Sequence, residues 1–156
     1  MLIRRAVKGD ADSIAKLGRM WHDDIDEEAI KTTFYEILNI PVKHFIFIAE
    51  EDSQVVGFAH WVLFRHLAFG RRMGELESIF THPDYRMRGI GKALMLAGMK
   101  ATREAGAIEY RIKDVVPSNL PALIMYEKLG FDSMTFILGK HKDDIEADEK
   151  KEMNTP

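Results

Sequence analysis

Apolar residues along this chain recur with two periods, and the alternation between them outlines the fold. "LIRRAV" (2–7) reads as a short strand. From Asp10 to about His22, Ile14, Leu17 and Trp21 fall at the three-to-four spacing of one helix face, with Asp10 placed as its N-cap. From Glu27 to Leu38, Ile30, Phe34 and Ile37 repeat that spacing, and Pro41 follows the segment's end. The β-rich runs "HFIFIAE" (44–50) and "QVVGFAHWVLF" (54–64) flank a short polar "EDS" (51–53), which predicts a hairpin. A polar loop through "GRRMG" (70–74) leads to a strand, "ELESIFT" (75–81). A helix follows from about Gly89 to Ala105, stopped by Gly106 as its C′ residue. Next come a strand, "IEYRIKDVV" (108–116), a break at "PSN", a helix from Leu120 to Leu129 ended by Gly130, and a strand, "FDSMTFILG" (131–139). The order β-α-α-β-β-β-α-β-α-β predicts a mixed α/β fold, distinct from a regular doubly wound one.

Composition narrows the picture. At 156 residues and 46% hydrophobic content the chain suits one cored domain, assigned to residues 1–140, with a polar acidic tail over 141–156 read as a solvated end. A net charge of -3, with both signs mixed, argues against a nucleic-acid binder. Zero cysteines exclude a disulfide framework, a thiol nucleophile and a thiolate metal site; the six histidines lack ligand spacing, so no metal is expected. No apolar run is long enough for a membrane helix, and "MLIRRAVKGD" lacks the apolar core of a signal peptide. The expectation is a soluble, cytoplasmic protein without nucleic-acid or membrane partners.

The chemistry concentrates in "YRMRGIGKALM" (85–95), where a strand turns into a helix. Amides at a helix start are unsatisfied and attract phosphate. Gly89 and Gly91 keep side chains from blocking that approach, and Arg86, Arg88 and Lys92 add positive charge. A P-loop fails at Arg86 and Ala93, and a dinucleotide fingerprint fails at Leu94. A third pattern, R/Q-x-x-G-x-G/A, is met at Arg86, Gly89 and Gly91. Downstream, "SNLPALIMYEKLGF" (118–131) places Asn119, Ala122, Tyr126 and Gly130–Phe131 at N-x-x-A-x-x-x-Y-x-x-x-G-F spacing.

With both motifs present in this order, the chain resembles the GNAT superfamily of N-acetyltransferases, closely over residues 75 to 131. The resemblance implies a mixed, mostly antiparallel sheet flanked by helices, whose splayed parallel strand pair (75–81 and 108–116) forms a cleft for acetyl-CoA, the acetyl donor. It implies that Ile79, Phe80 and Thr81 meet the pantetheine arm through backbone, as an added strand would. Arg86, Met87, Arg88, Gly89, Ile90, Gly91 and Lys92 would cradle the pyrophosphate, and Asn119 would contact the cofactor arm, with helix capping as its plain alternative. Tyr126 matches the family's general acid: attack of an amine on the thioester expels a thiolate, and a phenol can return the proton. Glu77 is the first candidate base and Glu75 the second; they alternate along one strand and share a face. Structural ion pairs with Arg71, Arg72 or Arg111 are the alternative for both acids. Asp114 stands where some peptide N-terminal acetyltransferases carry a glutamate, though Asp is shorter.

In the family the first two helices wall the acceptor site. Here that region carries Asp23, Asp24, Asp26, Glu27 and Glu28. An anionic wall would favour a small cationic amine such as a polyamine or aminoglycoside; capping and dipole matching at a helix start is the competing reading. A peptide or protein amine is the alternative acceptor, a silent CoA-binding module the rival class, and a homodimer is compatible with the resemblance. Trp21, Trp61 and Phe64 line either the pocket or the core, with core favoured.

Overall fold

The computed structural model describes residues 1–21 and 24–132. Strand β1 (Leu2–Arg5) leads through a short 3-10 turn (Lys8–Asp10) into helix α1 (Ala11–Trp21), followed by α2 (Glu27–Leu38). Strands β2 (His44–Glu51), β3 (Gln54–His66) and β4 (Arg71–Thr81) run in succession, then α3 (Ile90–Glu104), β5 (Glu109–Ile112) and α4 (Leu120–Lys128). The five strands form one sheet in chain order; β1 to β4 pair antiparallel, and β5 pairs parallel with β4. The mixed, mostly antiparallel sheet is thus as expected. The last expected strand (131–139) lies, beyond its first two residues, outside the described residues, as does the tail.

Three local expectations are corrected. Asp10 does not reach forward as a cap; its carboxylate turns back, accepting from Val7 N–H at 2.7 Å and from both terminal nitrogens of Arg4 at 2.8 Å. "GRRMG" is mostly strand: β4 starts at Arg71, because Arg71 and Arg72 pair with His66 and Arg65 of β3. β5 stops at Ile112, short of the expected 116; Asp114 has φ 51°, a left-handed conformation that a strand cannot accommodate. The hairpin, by contrast, is tightened: only Asp52 and Ser53 turn, both at positive φ, as a two-residue type I′ connection requires.

Each face of the sheet carries its own core. On one side Trp61, Ala59, Leu63 and Leu76 pack with Leu94 and Met95 of α3 and with Tyr126 of α4. On the other, Ile46, Ile48, Phe58 and Phe80 pack under Ile14, Leu17 and Phe34 of the first two helices. Of the three aromatics expected in the core, Trp61 is fully buried and stands edge-on to Tyr110, whereas Trp21 is 41% exposed and Phe64 is only partly buried. Leu76, facing α3, is followed two residues later by Ser78, facing α1 and α2. The switch is a bulge: Ser78 pairs with His60 and Leu76 with Trp61, leaving Glu77 unmatched between them.

Candidate active site

The cofactor-side cleft is built by the divergence of β4 and β5. Their ladder covers only Met73–Leu76 against Glu109–Ile112, closed by one further bond from Lys113 N–H to the Leu76 carbonyl at 3.1 Å. β4 continues five residues beyond Leu76, to Thr81, with no β5 partner. Backbone groups on that edge are therefore open to an extended ligand. The cleft beside it has a volume of about 610 Å³. Ile79 and Thr81 of β4, the turn from Arg86 to Lys92 (Arg88 excepted), and Asn119 and Tyr126 of α4 all line it.

The turn is shaped for an anion. Met87 (φ 62°) and Gly89 (φ 81°) are both left-handed and flank Arg88, and α3 begins immediately after. Left- and right-handed residues in succession turn consecutive N–H groups into one concavity, backed here by the positive end of a helix. Gly89 is required by this φ and not by space, since an added Cβ would meet nothing within 4 Å. At Gly91 a Cβ would sit 3.3 Å from Met125 Sδ, a tight contact between α3 and α4 that the flexible methionine has to yield to by a few tenths of an ångström. Lys92 lines the cleft. Arg86 also lines it, but its Nε donates to the Thr81 carbonyl at 3.1 Å and its guanidinium lies over Phe80, so it ties the turn to the strand end. Arg88 points elsewhere, toward Glu51 (3.6 Å) and the Tyr85 ring. Phe80 turns its side chain to the opposite face, against Phe58 and Trp21, leaving only its backbone near the cleft. Asn119 lines the cleft, and its Oδ1 accepts from Ala122 N–H at 3.3 Å, capping α4.

Tyr126 is 9% exposed, packs edge-on to Phe131 and lines the cleft. Burial pushes its phenol pKa upward, so it carries its proton throughout the neutral range. These residues fit coenzyme A: a strand edge for an extended amide arm, a concave amide turn with a lysine for phosphates, and a protonated phenol within the cleft.

The other face of β4 holds a second cavity, of about 350 Å³, between the sheet and the first two helices. Its wall is almost wholly apolar, with Ile14, Trp21, Ile30, Phe34 and Phe58 prominent; its polar groups include His60, Ser78 and Thr33. The two cavities thus meet β4 at consecutive residues, Ser78 and Ile79. Glu75 is 5% exposed and ion-paired with Arg111 Nε, whose guanidinium covers Phe64. Burial raises the pKa of Glu75, Arg111 opposes this, and the nearby Glu77 reinforces it. Glu77 shares its carboxylate with Lys113 Nζ at 3.3 and 3.4 Å. Arg71 and Arg72, the other suggested partners, instead bind Glu109 and the Ala105 carbonyl. Asp114 is exposed and lines neither cavity.

Two members of the acidic run, Asp26 and Glu28, are engaged on their own helix. Asp26 caps α2 by accepting from Glu28 N–H at 3.1 Å, and Glu28 pairs with Lys31. Asp24, Asp26, Glu27 and Glu28 do not line the cavity, and Asp23 lies outside the described residues. Sequence reasoning missed His44, His60 and Ser78. Turn chemistry alone could not have found the pair: a turn at 52–53 sets Phe45 opposite His60, and only the bulge that leaves Val56 unmatched moves His60 onto Ile46 and puts His44 diagonally beside it on the same face.

Residues 13–131 match the family model described as Acetyltransferase (GNAT) family. The chain is similar to an N-alpha-acetyltransferase of Sulfurisphaera tokodaii, with 33% identity over 151 residues, covering 93% of this chain and 88% of that protein. A mycothiol acetyltransferase of Saccharomonospora viridis is 39% identical over 93 residues, covering 56% of this chain but only 30% of that protein. Among solved structures, an aminoglycoside N-acetyltransferase in complex with CoA superposes with a TM-score of 0.79 at 25% identity, over 90% of this chain and 93% of that one.

Proposed function

The chain belongs to the GNAT acetyltransferase family and is an acetyl-CoA-dependent N-acetyltransferase, and from that premise we propose that its acceptor is the α-amino group of a peptide with an apolar first side chain. The observation that carries this reading is the apolar cavity against the acceptor face of β4. A polycation would gain little there, whereas a leucine- or methionine-sized side chain fits such a wall. The similarity to an N-alpha-acetyltransferase over nearly the whole chain supports the same reading. None of Asp24, Asp26, Glu27 and Glu28 lines the cavity, which weakens the anionic-wall argument for a polyamine or aminoglycoside.

Acetyl-CoA brings the acetyl group as a thioester, already activated toward an amine. In this reading the open edge of β4 at Ile79 and Thr81 holds the donor's arm in extended form. The amides of Met87 to Gly91, with Lys92, hold its phosphates. Tyr126 gives its phenolic proton to the departing sulfur, and burial keeps that proton in place until then. Glu77, freed from the ladder by the bulge, provides negative charge that draws the peptide's ammonium end toward Ser78. Glu75, neutralised by Arg111, supports the strand.

Release of free CoA tests this directly with a thiol-reactive dye, because a protein without cysteine gives no background. Burying a Met or Leu side chain is worth about 1.5–3 kcal/mol. Peptides beginning with Met or Leu should therefore exceed otherwise identical Gly-initiated peptides in kcat/KM by about 10- to 100-fold. Fragmentation of the product should place the acetyl group on the α-nitrogen. Faster turnover of spermidine or kanamycin than of any peptide would sink the reading.

A further inference from the structure

The face of the sheet that lines the acceptor cavity carries a pair of histidines that the reaction described so far does not use. His60 is on the cavity wall, and its register partner across the ladder is Ser78. Directly paired strand residues are separated by about 4.5–5.5 Å at Cα, so the His60 ring stands beside the point where an acceptor must approach β4. One of its nitrogens, Nε2, is 2.9 Å from Nδ1 of His44, and the rings lie nearly parallel, 26° apart. His44, at the start of β2, is partly exposed and so connects the buried ring with the outside.

Resting on the peptide α-amine reading above, we propose that His60 and His44 form the proton exit for the acceptor's ammonium group. In the resting pair the hydrogen sits on His60 Nε2 and points at His44 Nδ1, leaving His60 Nδ1 free to accept. The ammonium gives one proton to His60 Nδ1; His60 Nε2–H passes its own to His44 Nδ1; His44 Nε2–H releases one to water. One proton enters, one leaves, and the amine is left with the lone pair that attacks. Because the transfers are linked, the buried ring never has to hold a full positive charge for long.

The surroundings suit that traffic. Burial lowers the His44 pKa; Glu77, from β4, works against that shift and Lys43 beside it adds to it. Glu75 and Glu77 are themselves matched by Arg111 and Lys113 from the β5 side. The side chains that α1 and α2 present to the cavity are uncharged, Thr33 being the polar one. Burial holds the His60 pKa down at about 4, with the neighbouring His44 adding to the effect, so the ring waits as a neutral acceptor at neutral pH. A ring with so low a pKa is a weak base, so it takes the ammonium's proton only as its own passes on to His44.

Two measurements decide the proposal. Imidazole nitrogen NMR of the whole protein should show His60 as the Nε2–H tautomer, neutral at pH 7, with the two rings titrating as a coupled pair and the His60 signals moving in His44→Gln. Independent titrations near the ordinary histidine value of about 6.5 would overturn it, with no substrate involved. Kinetically, His60→Gln should lower kcat/KM toward a Met-initiated peptide by about 100-fold at pH 7, with the deficit closing as pH rises and the amine arrives unprotonated. The same variant should show almost no deficit toward a peptide bearing an aminooxy group in place of the α-amine, whose nitrogen is already neutral. Equal deficits for both acceptors, or a pH profile parallel to wild type, would mean that the ring only shapes the cavity. A wild-type enzyme silent toward the peptide would defeat the peptide reading alone, and the NMR titration would still decide the relay.

Discussion

Tyr126 shows how far a single residue's chemistry depends on its surroundings. An exposed tyrosine on a helix edge is a neutral amphipath; the same residue, buried between α4 and the sheet and lining the cleft, holds its proton under a raised pKa and is proposed above as the proton donor. Tyr126→Phe keeps the ring and its packing on Phe131 but removes the proton. It should lower kcat by about 100-fold and leave acetyl-CoA affinity nearly unchanged, as steady-state kinetics beside a binding titration would reveal. A matching fall in cofactor affinity would assign the hydroxyl to binding instead. The arginines teach the reverse. Arg86 and Arg88 look like phosphate ligands in a string of letters, yet one bonds to the Thr81 carbonyl and the other leans toward Glu51. Their charge is visible in the sequence; their direction is not.

At the level of elements, the turn before α3 is the clearest case of local sequence dictating local shape. Gly89 occupies a left-handed conformation at the helix N-cap, so a Cβ there costs about 1–2 kcal/mol in backbone strain even though space is available. Gly89→Ala should lower stability by roughly that amount in urea unfolding and weaken acetyl-CoA binding, because relief of the strain rotates the amides away from their common centre. An unchanged Kd would show that the phosphates are held elsewhere. Helix boundaries, the hairpin and both glycine stops were legible because capping and turn chemistry act within a few residues. The length of β5 was not. Its apolar alternation continues past Ile112, but the strand ends where β4 diverges, and that divergence opens the cleft.

At the scale of the whole molecule, β4 is a partition between two cavities, one on each face, that adjoin it at Ser78 and Ile79. Such an arrangement lets donor and acceptor approach one strand from opposite sides, consistent with direct transfer between them. Stability as a function of pH is also a property of the whole, and here its sign follows from the buried ring. His60 titrates near 6.5 when unfolded but at about 4 when folded. The unfolded chain therefore binds the extra proton first on acidification, and the stabilising contribution is complete above about 6.5 and lost as pH falls toward 4. The His60 contribution changes by at most about 1.4 kcal/mol per pH unit. Glu75, whose folded pKa is raised, acts in the opposite direction at the acidic end of this window. Comparing wild type with His60→Gln isolates the histidine: between pH 7 and 5 the variant's unfolding midpoint in urea should fall less. Identical slopes would place His60 in contact with water.

Periodicity, glycine placement and two spaced motifs determined by themselves the order of elements, the mixed sheet, the glycine turn before α3 and the family, because each depends on residues close in the chain or on a pattern repeated along it. Only the tertiary structure decided which acids are tied up in ion pairs, that the cavity under α1 and α2 is apolar, and that two histidines sixteen residues apart share a hydrogen bond. Those outcomes depend on register and on two one-residue bulges: one at Val56, which sets the histidines on one face, and one at Glu77, which shifts the following residues of β4 by one in facing direction. A change of that kind leaves almost no trace in local sequence, since its cause is how the strand meets its neighbours across the sheet.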